Sequence, residues 1–268
     1  MQMQDLKRRL MFWSKENRDA VKASNQIGKT GMEILARYRA THTPAEIEAD
    51  TTIIGHLIRS PYPTEKERVA DVTIFMLAGH DTTAYQLSWI IIELARSPDV
   101  VKKLRQELDA SFGEHGPRNC TAQQLSQLDY LGKVIKEGMR LWPVVANGSQ
   151  RTTSVDIPYK EFVIPAGSTL AINNFVMMRT GIQEGNRFIP ERWNEDNPDR
   201  EKLKESFLPF ASGKRACVGQ ALALLELKLV IATLFYSYDF EVIGNFKELV
   251  SLTMKPVDAD IRVTHRVK

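Results

Sequence analysis

The segment Phe210-Ala-Ser-Gly213-Lys-Arg215-Ala-Cys217-Val-Gly219 gathers residue types that could bind a metal. An isolated cysteine is ordinarily a small buried apolar residue. Here a helix is expected to start near Cys217 or Val218, and its orphan N–H groups and dipole favour a thiolate. Arg215 adds a positive charge two residues earlier. Gly213 and Gly219 permit unusual dihedrals and let a flat ligand approach the backbone, and Phe210 can set an aromatic edge beside the sulfur. Such a thiolate could bind iron and, trans to an open face, favour O–O cleavage by pushing electron density onto the metal. Zinc fits poorly, because it wants about four ligands and neither a Cys-x-x-Cys nor paired histidines accompany Cys217. A redox-active thiol stays open, but it leaves Phe210, Arg215 and both glycines without a common purpose.

Two further constellations carry less weight alone. Ala78-Gly79-His80-Asp81-Thr82-Thr83 sits midway along an expected long helix. Glycine weakens a helix by about 0.5–1 kcal/mol, and threonine hydroxyls can bond back to the preceding turn and bend it. A kinked buried helix and a groove wide enough for dioxygen are equally good readings. An acid beside an alcohol suits the second, since splitting O–O needs protons at the distal oxygen. Glu137-Gly-Met-Arg140 puts opposite charges on one helix face, where a surface pair of little energetic consequence is the ordinary reading.

The cysteine segment resembles in full the Phe-x-x-Gly-x-Arg-x-Cys-x-Gly signature of the cytochrome P-450 family, the haem-thiolate monooxygenases. The resemblance implies that Cys217 is the axial ligand of a haem b iron and that Arg215 pairs with a propionate. It makes the Asp81–Thr82 helix the oxygen-activation helix, with Thr82 hydrogen-bonding dioxygen and Asp81 relaying protons. It implies that Glu137 and Arg140 are buried and joined by Arg192 of Pro190-Glu191-Arg192-Trp193, a structural network presenting the cysteine loop. Arg151 stands where the family often places a second propionate partner. Val144 to Asn147 and the stretch Leu252 to Met254 would wall the substrate side.

The implied activity is insertion of one oxygen atom into an apolar substrate, with electrons from NADPH through a reductase, or from a ferredoxin. Two other outcomes compete with it. One is a non-catalytic haem-binding or dimerising piece. The other is a relative that rearranges hydroperoxides without a reductase, against which the Asp81-Thr82 pair argues. The resemblance is close from Thr64 onward and loose before it. It implies a C-terminal half, with the membrane anchor and much of the substrate lid in a missing N-terminal part. The endoplasmic reticulum membrane, at its cytosolic face, is the implied address of the longer protein. Met178 stands where many relatives have histidine, and Trp193 where phenylalanine is more frequent.

The elements that must position these residues follow from periodicity and breakers. Leu6, Leu10, Trp13, Ile27, Ile34 and Leu35 suggest amphipathic helix over the first 40 residues, and Pro44 and Pro61-Tyr62-Pro63 mark breaks. Thr64-x-x-Glu67 is a capping box. The helix it opens should reach about Arg96, roughly 45–50 Å, and be buried around Val72–Leu77 and Trp89–Leu94. Ser97-Pro98 caps the next helix, ending near Gly113. Thr121-x-x-Gln124 is another capping box. A helix from about Tyr130 stops near Trp142, before Pro143.

Val155–Ile157, Phe162–Ile164 and Thr169–Ile172 read as short strands, with a type I turn at Ile164-Pro165-Ala166-Gly167. An irregular stretch runs from Gly181 to Pro209, and a last long helix ends near Ser237. Leu249–Val263 reads as a hairpin. The fold class is mainly α with a minor β-sheet, in one incomplete haem-binding domain. Its parts are N-terminal helices over 1–63, the oxygen-activation helix over 64–96, the Glu-x-x-Arg helix over 130–141 and the haem-ligand loop over 210–219.

Composition is compatible with this. Hydrophobic residues make up 43% of 268, enough for a sizeable core. The net charge of +3 is dispersed, unlike the basic patches of nucleic-acid binders, so no nucleic-acid partner is expected. Two cysteines make no disulfide framework, and Cys120 reads as a loop residue without a role. Glu226 and Lys228 interrupt the most apolar stretch, Ala221 to Phe235, so no membrane span is expected.

Overall fold

The computed structural model describes residues 14–267, so the expected helical positions Leu6, Leu10 and Trp13 lie outside the described residues. The chain divides into two compact units, Met1–His80 and Asp81–Lys268, with the boundary inside one long helix.

In the first unit, α1 (Lys15–Thr41) starts at Ser14, whose hydroxyl accepts from Asn17 N at 3.0 Å. Pro44 opens α2 (Pro44–Ala49) as its first residue rather than only breaking α1, and Thr43 and Glu46 form a complete capping box. Thr52 caps α3 (Ile53–Arg59). Gly31 of α1 meets the first half of α4 (Glu65–Ala95) so closely that a Cβ there would lie 2.8 Å from Thr73 Oγ1. The Thr64 hydroxyl accepts from Glu67 N at 3.3 Å. The expected burial of this half is not found: Val72 is buried, whereas Ile74, Met76 and Leu77 are exposed.

The second unit holds the core. In the second half of α4, Trp89, Ile90, Ile92 and Leu94 are buried. Beside it lie α5 (Pro98–Phe112), α6 (Ala122–Ser126) and α7 (Asp129–Leu141). Pro98 is the first residue of α5, but the Ser97 side chain makes no cap bond. The Thr121/Gln124 capping box has both of its bonds. Leu104, Leu108, Leu131, Val134 and Ile135 from these helices share one cluster with Ile90 and Leu94. Cys120 packs at its edge.

The strands differ in part from expectation. β1 (Gln150–Thr152) pairs antiparallel with β4 (Thr169–Ala171), and β2 (Ile157–Tyr159) with β3 (Phe162–Ile164). Val155 and Asp156 are therefore outside the strand, and β1 was not foreseen because its residues are polar and exposed. The turn is displaced by one residue. Ser168 N donates to Pro165 O, and Gly167 takes the third position with φ +81°, as a type II rather than type I turn demands.

α8 (Asn174–Met177) and α9 (Arg200–Ser206) flank and interrupt the stretch expected to be irregular. α10 begins later than expected, at Gln220, and ends at Ser237. By length and composition α10 is apolar enough to cross a membrane, despite Glu226 and Lys228. Leu227, Ile231 and Phe235 place one side in the core, while Leu222, Leu225 and Leu229 are exposed.

The terminal hairpin is two ladders. β5 (Tyr238–Ile243) pairs with β8 (Asp260–His265) and encloses β6 (Lys247–Val250) paired with β7 (Met254–Val257). Arg105 of α5 ties the first ladder down, donating to Phe235 O and Tyr238 O.

Candidate functional site

The cysteine loop follows α9. Leu208 to Ala211 turn back on themselves, and Cys217 N donates to Phe210 O at 2.8 Å, closing the loop. Gly213 sits at φ +68° at the head of a short 3-10 turn, Gly213–Arg215. Gly219 does not use unusual dihedrals: its φ is −84°. The backbone strain falls instead on Ala211, at φ +58°, which spacing and residue type did not signal. A Cβ on Gly219 would lie 3.8 Å from Cys217 Sγ, so the sulfur sits beside the residue that precedes the first turn of α10. Gln220 N, at the head of that turn, donates to Cys217 O at 3.4 Å.

Cys217 and Arg215 are exposed, and Phe210 is half-buried with its ring against the core. Val218 is 81% exposed and Leu222 51%. A Cβ on Gly213 would meet nothing within 4 Å. An open thiol, bare apolar side chains and a glycine without neighbours form a surface that a flat, apolar, iron-bearing macrocycle would cover. The soft sulfur donor also suits iron. The residues present therefore fit a haem.

Asp81 and Thr82 lie on α4, half-buried, at the start of the second unit. Leu87, five residues on, packs against the same cluster as Leu224 and Leu227 of α10, so the two segments extend from one core. Arg151 is exposed on β1, its Nη1 donating to the neighbouring Gln150 O. Val144 and Met254 are brought together: Met254 N donates to Val144 O at 2.7 Å, and Trp89 Nε1 to Met254 O at 3.1 Å. Asn147 and Leu252 are exposed and Ala146 is buried.

Glu137, Arg140 and Arg192 form a buried network rather than a surface pair; Glu137 is fully buried and Arg140 is 1% exposed. Glu137 accepts from Arg140 Nε at 2.8 Å, Arg192 Nε at 2.9 Å, Trp193 Nε1 at 3.0 Å and Ile189 N at 3.0 Å. The guanidinium groups spend their remaining donors on carbonyls. Arg140 reaches Met178, Gly185 and Arg187, and Arg192 reaches Gln183 and Glu184. The Trp193 ring meets Phe207 edge-on at 4.7 Å, three residues before Phe210. A path of packed groups thus joins Glu137 to the cysteine loop. The role of Trp193 was not foreseen, although an indole N–H next to the buried Arg192 needs an acceptor.

A second buried carboxylate escaped the sequence reading. Glu93 accepts from Trp142 Nε1 at 2.8 Å, and Trp142 stacks on Trp89 at 4.1 Å. Burial pushes the Glu93 carboxyl above its ordinary value, against the indole hydrogen bond and the charges of Arg96 and Arg179. Arg179 lies over Phe175, its own pKa lowered to about 10 by desolvation and then by the charge of Arg140.

Comparison with known proteins adds an independent line. The family model described as Cytochrome P450 matches residues 1–257, starting well before Thr64. Cytochrome P450 3A19 of Capra hircus aegagrus is 36% identical over 178 residues, covering 66% of this chain and 80% of that protein. The mitochondrial 25-hydroxyvitamin D-1 alpha hydroxylase of Homo sapiens is 33% identical over 198 residues, 73% of this chain and 38% of the enzyme. The crystal structure of a cytochrome P450 (CYP102L1) superposes with a TM-score of 0.82 at 24% identity, over 96% of this chain and 59% of that one. The mainly helical fold class is shared with that structure. The chain spans little more than a third of the human hydroxylase.

Proposed function

The chain belongs to the cytochrome P450 family of haem monooxygenases, and from that premise we propose that it forms the haem-thiolate part of such an enzyme, with Cys217 as the iron ligand. The exposed cysteine, with the exposed apolar Val218 next to it in the chain and Leu222 one turn into α10, is the observation that carries this reading. Phe210, Gly213 and Gly219 would seat the group, and Arg215 and Arg151 would face its carboxylates. When bound, haem supplies the activation of dioxygen and the transfer of one oxygen atom to an apolar substrate.

The side chains of this chain do the rest. Phe210 O, by accepting from Cys217 N, holds the loop closed around the sulfur. Thr82 Oγ1 would hold a proton at the oxygen groove, and Asp81 would resupply it. Val144 and the Met254 hairpin exclude water on the side where substrate would lie. Glu137, Arg140 and Arg192 keep the cysteine loop in place. Electrons would come from NADPH through a reductase at the cytosolic face of the endoplasmic reticulum. For an address like that of the mitochondrial hydroxylase, a ferredoxin would bring them. The haem-binding domain would take in the N-terminal helices over 1–63, the helix over 64–96, the Glu-x-x-Arg helix over 130–141 and the ligand loop over 210–219.

The test is the reduced spectrum, with and without carbon monoxide, of the chain expressed with a haem supply. A strongly red-shifted Soret band that disappears in Cys217→Ala is expected, with little change in the stability of the apoprotein, since Cys217 is exposed. A normal haem-thiolate spectrum in Cys217→Ala overturns the reading. The exposed Leu222 and Leu225 favour a second reading, a haem-binding piece without turnover of its own. Product formation with a reductase and a substrate panel separates the two.

A further inference from the structure

Gln86 of α4 is 4% exposed. Its Nε2 is, among the described residues, the one buried side-chain nitrogen or oxygen without a hydrogen-bond partner. Buried donors are nearly always paired, so such an atom needs an explanation. Its position supplies one. Gln86 follows Thr82 by four residues, so the two share a helix face with Cβ atoms about 5–6 Å apart. One water making two ordinary hydrogen bonds spans about that distance. Further along the same face the helix is sealed. Ile90 fills the space where Gly138 has no side chain, and Glu93 is bonded to Trp142. Toward Thr82 the face opens, since Thr82 is half-buried.

We propose that Gln86 Nε2 donates to a buried water seated one turn below Thr82, making Gln86 a positioning residue for proton supply at Thr82 Oγ1. This rests on the monooxygenase reading. The amide does not carry the proton: it fixes the water whose own proton goes to the hydroxyl.

Gln86→Met keeps the length of the side chain and removes the donor. The haem-loaded chain and this variant are compared in urea unfolding and, with a chemical or enzymatic reductant, in the share of consumed dioxygen released as peroxide. A partnered Nε2 predicts no gain in stability and a several-fold rise in the peroxide share. An orphaned Nε2 predicts a folded-to-unfolded ratio about tenfold higher or more in Gln86→Met, since an unmet donor has been removed; that result, or an unchanged peroxide share, overturns the proposal. If Gln86→Met does not fold, Gln86→Asn withdraws the donor by one methylene and must raise the peroxide share likewise. The carbon monoxide band keeps the two readings apart: its absence in the parent chain strikes the haem reading and this proposal with it, whereas a normal band with an unchanged peroxide share strikes this proposal alone.

Discussion

Arg192 Nε lies 2.9 Å from Glu137 Oε1, although the two residues are separated by more than fifty positions in sequence, and both are buried. Arg140 Nε holds the other carboxylate oxygen at 2.8 Å. Two guanidinium groups thus depend on one carboxylate for their charge balance. Glu137→Gln removes that charge and turns an amide N–H2 toward donors. Breaking one partner of a buried network costs about 3–5 kcal/mol. Urea denaturation of the apoprotein should register that loss. Haem uptake should fall with it, because Trp193 and Phe207 connect the network to the cysteine loop.

Gly138 of α7 packs directly on α4, since a Cβ there would collide with Ile90 Cγ1. Overpacking costs about 1–3 kcal/mol, opposed by the helix preference for alanine, worth about 1 kcal/mol. Gly138→Ala is therefore expected to destabilise by up to about 2 kcal/mol. In the double variant with Ile90→Ala the loss should be smaller than the sum of the two single losses, which a double-mutant cycle in urea measures.

Glu93 carries a pH dependence with a definite sign. Its carboxyl titrates above the ordinary 4.5 in the folded chain because of burial. The folded state therefore binds more protons than the unfolded state between 4.5 and the raised value. Stability must fall as pH rises through that window and stay lower above it. Glu93→Gln keeps an oxygen for Trp142 Nε1 and cannot ionise. Its stability advantage over the parent should grow from near zero below pH 4.5 to a plateau at neutral pH. Urea midpoints across that range, followed by tryptophan fluorescence, check this. An advantage that shrinks with rising pH would contradict it.

Much of the helical frame was legible because its signals are local. Thr121 and Gln124 cap α6 through bonds spanning three residues, and Pro98 opens α5 because proline suits a first turn. β1, the shifted turn at Gly167 and α9 were not legible. β1 is exposed throughout and α9 buries Leu203 alone, so no hydrophobic period marks them, and the turn is set by the strands it joins.

The sequence by itself determined which chemistry is available. A cysteine framed by Phe210, Gly213, Arg215 and Gly219, an acid–alcohol pair at Asp81-Thr82, and Glu137 three residues before Arg140 are properties of order and spacing. Only the tertiary structure decided what each group meets. It put Arg192 and Trp193 on Glu137, placed Trp142 on Glu93, left Cys217 and Leu222 exposed and left Gln86 Nε2 buried without a partner. The reason is physical. Capping and periodicity act over a few residues and are written along the chain, whereas burial and pairing depend on segments far apart in sequence that share one space.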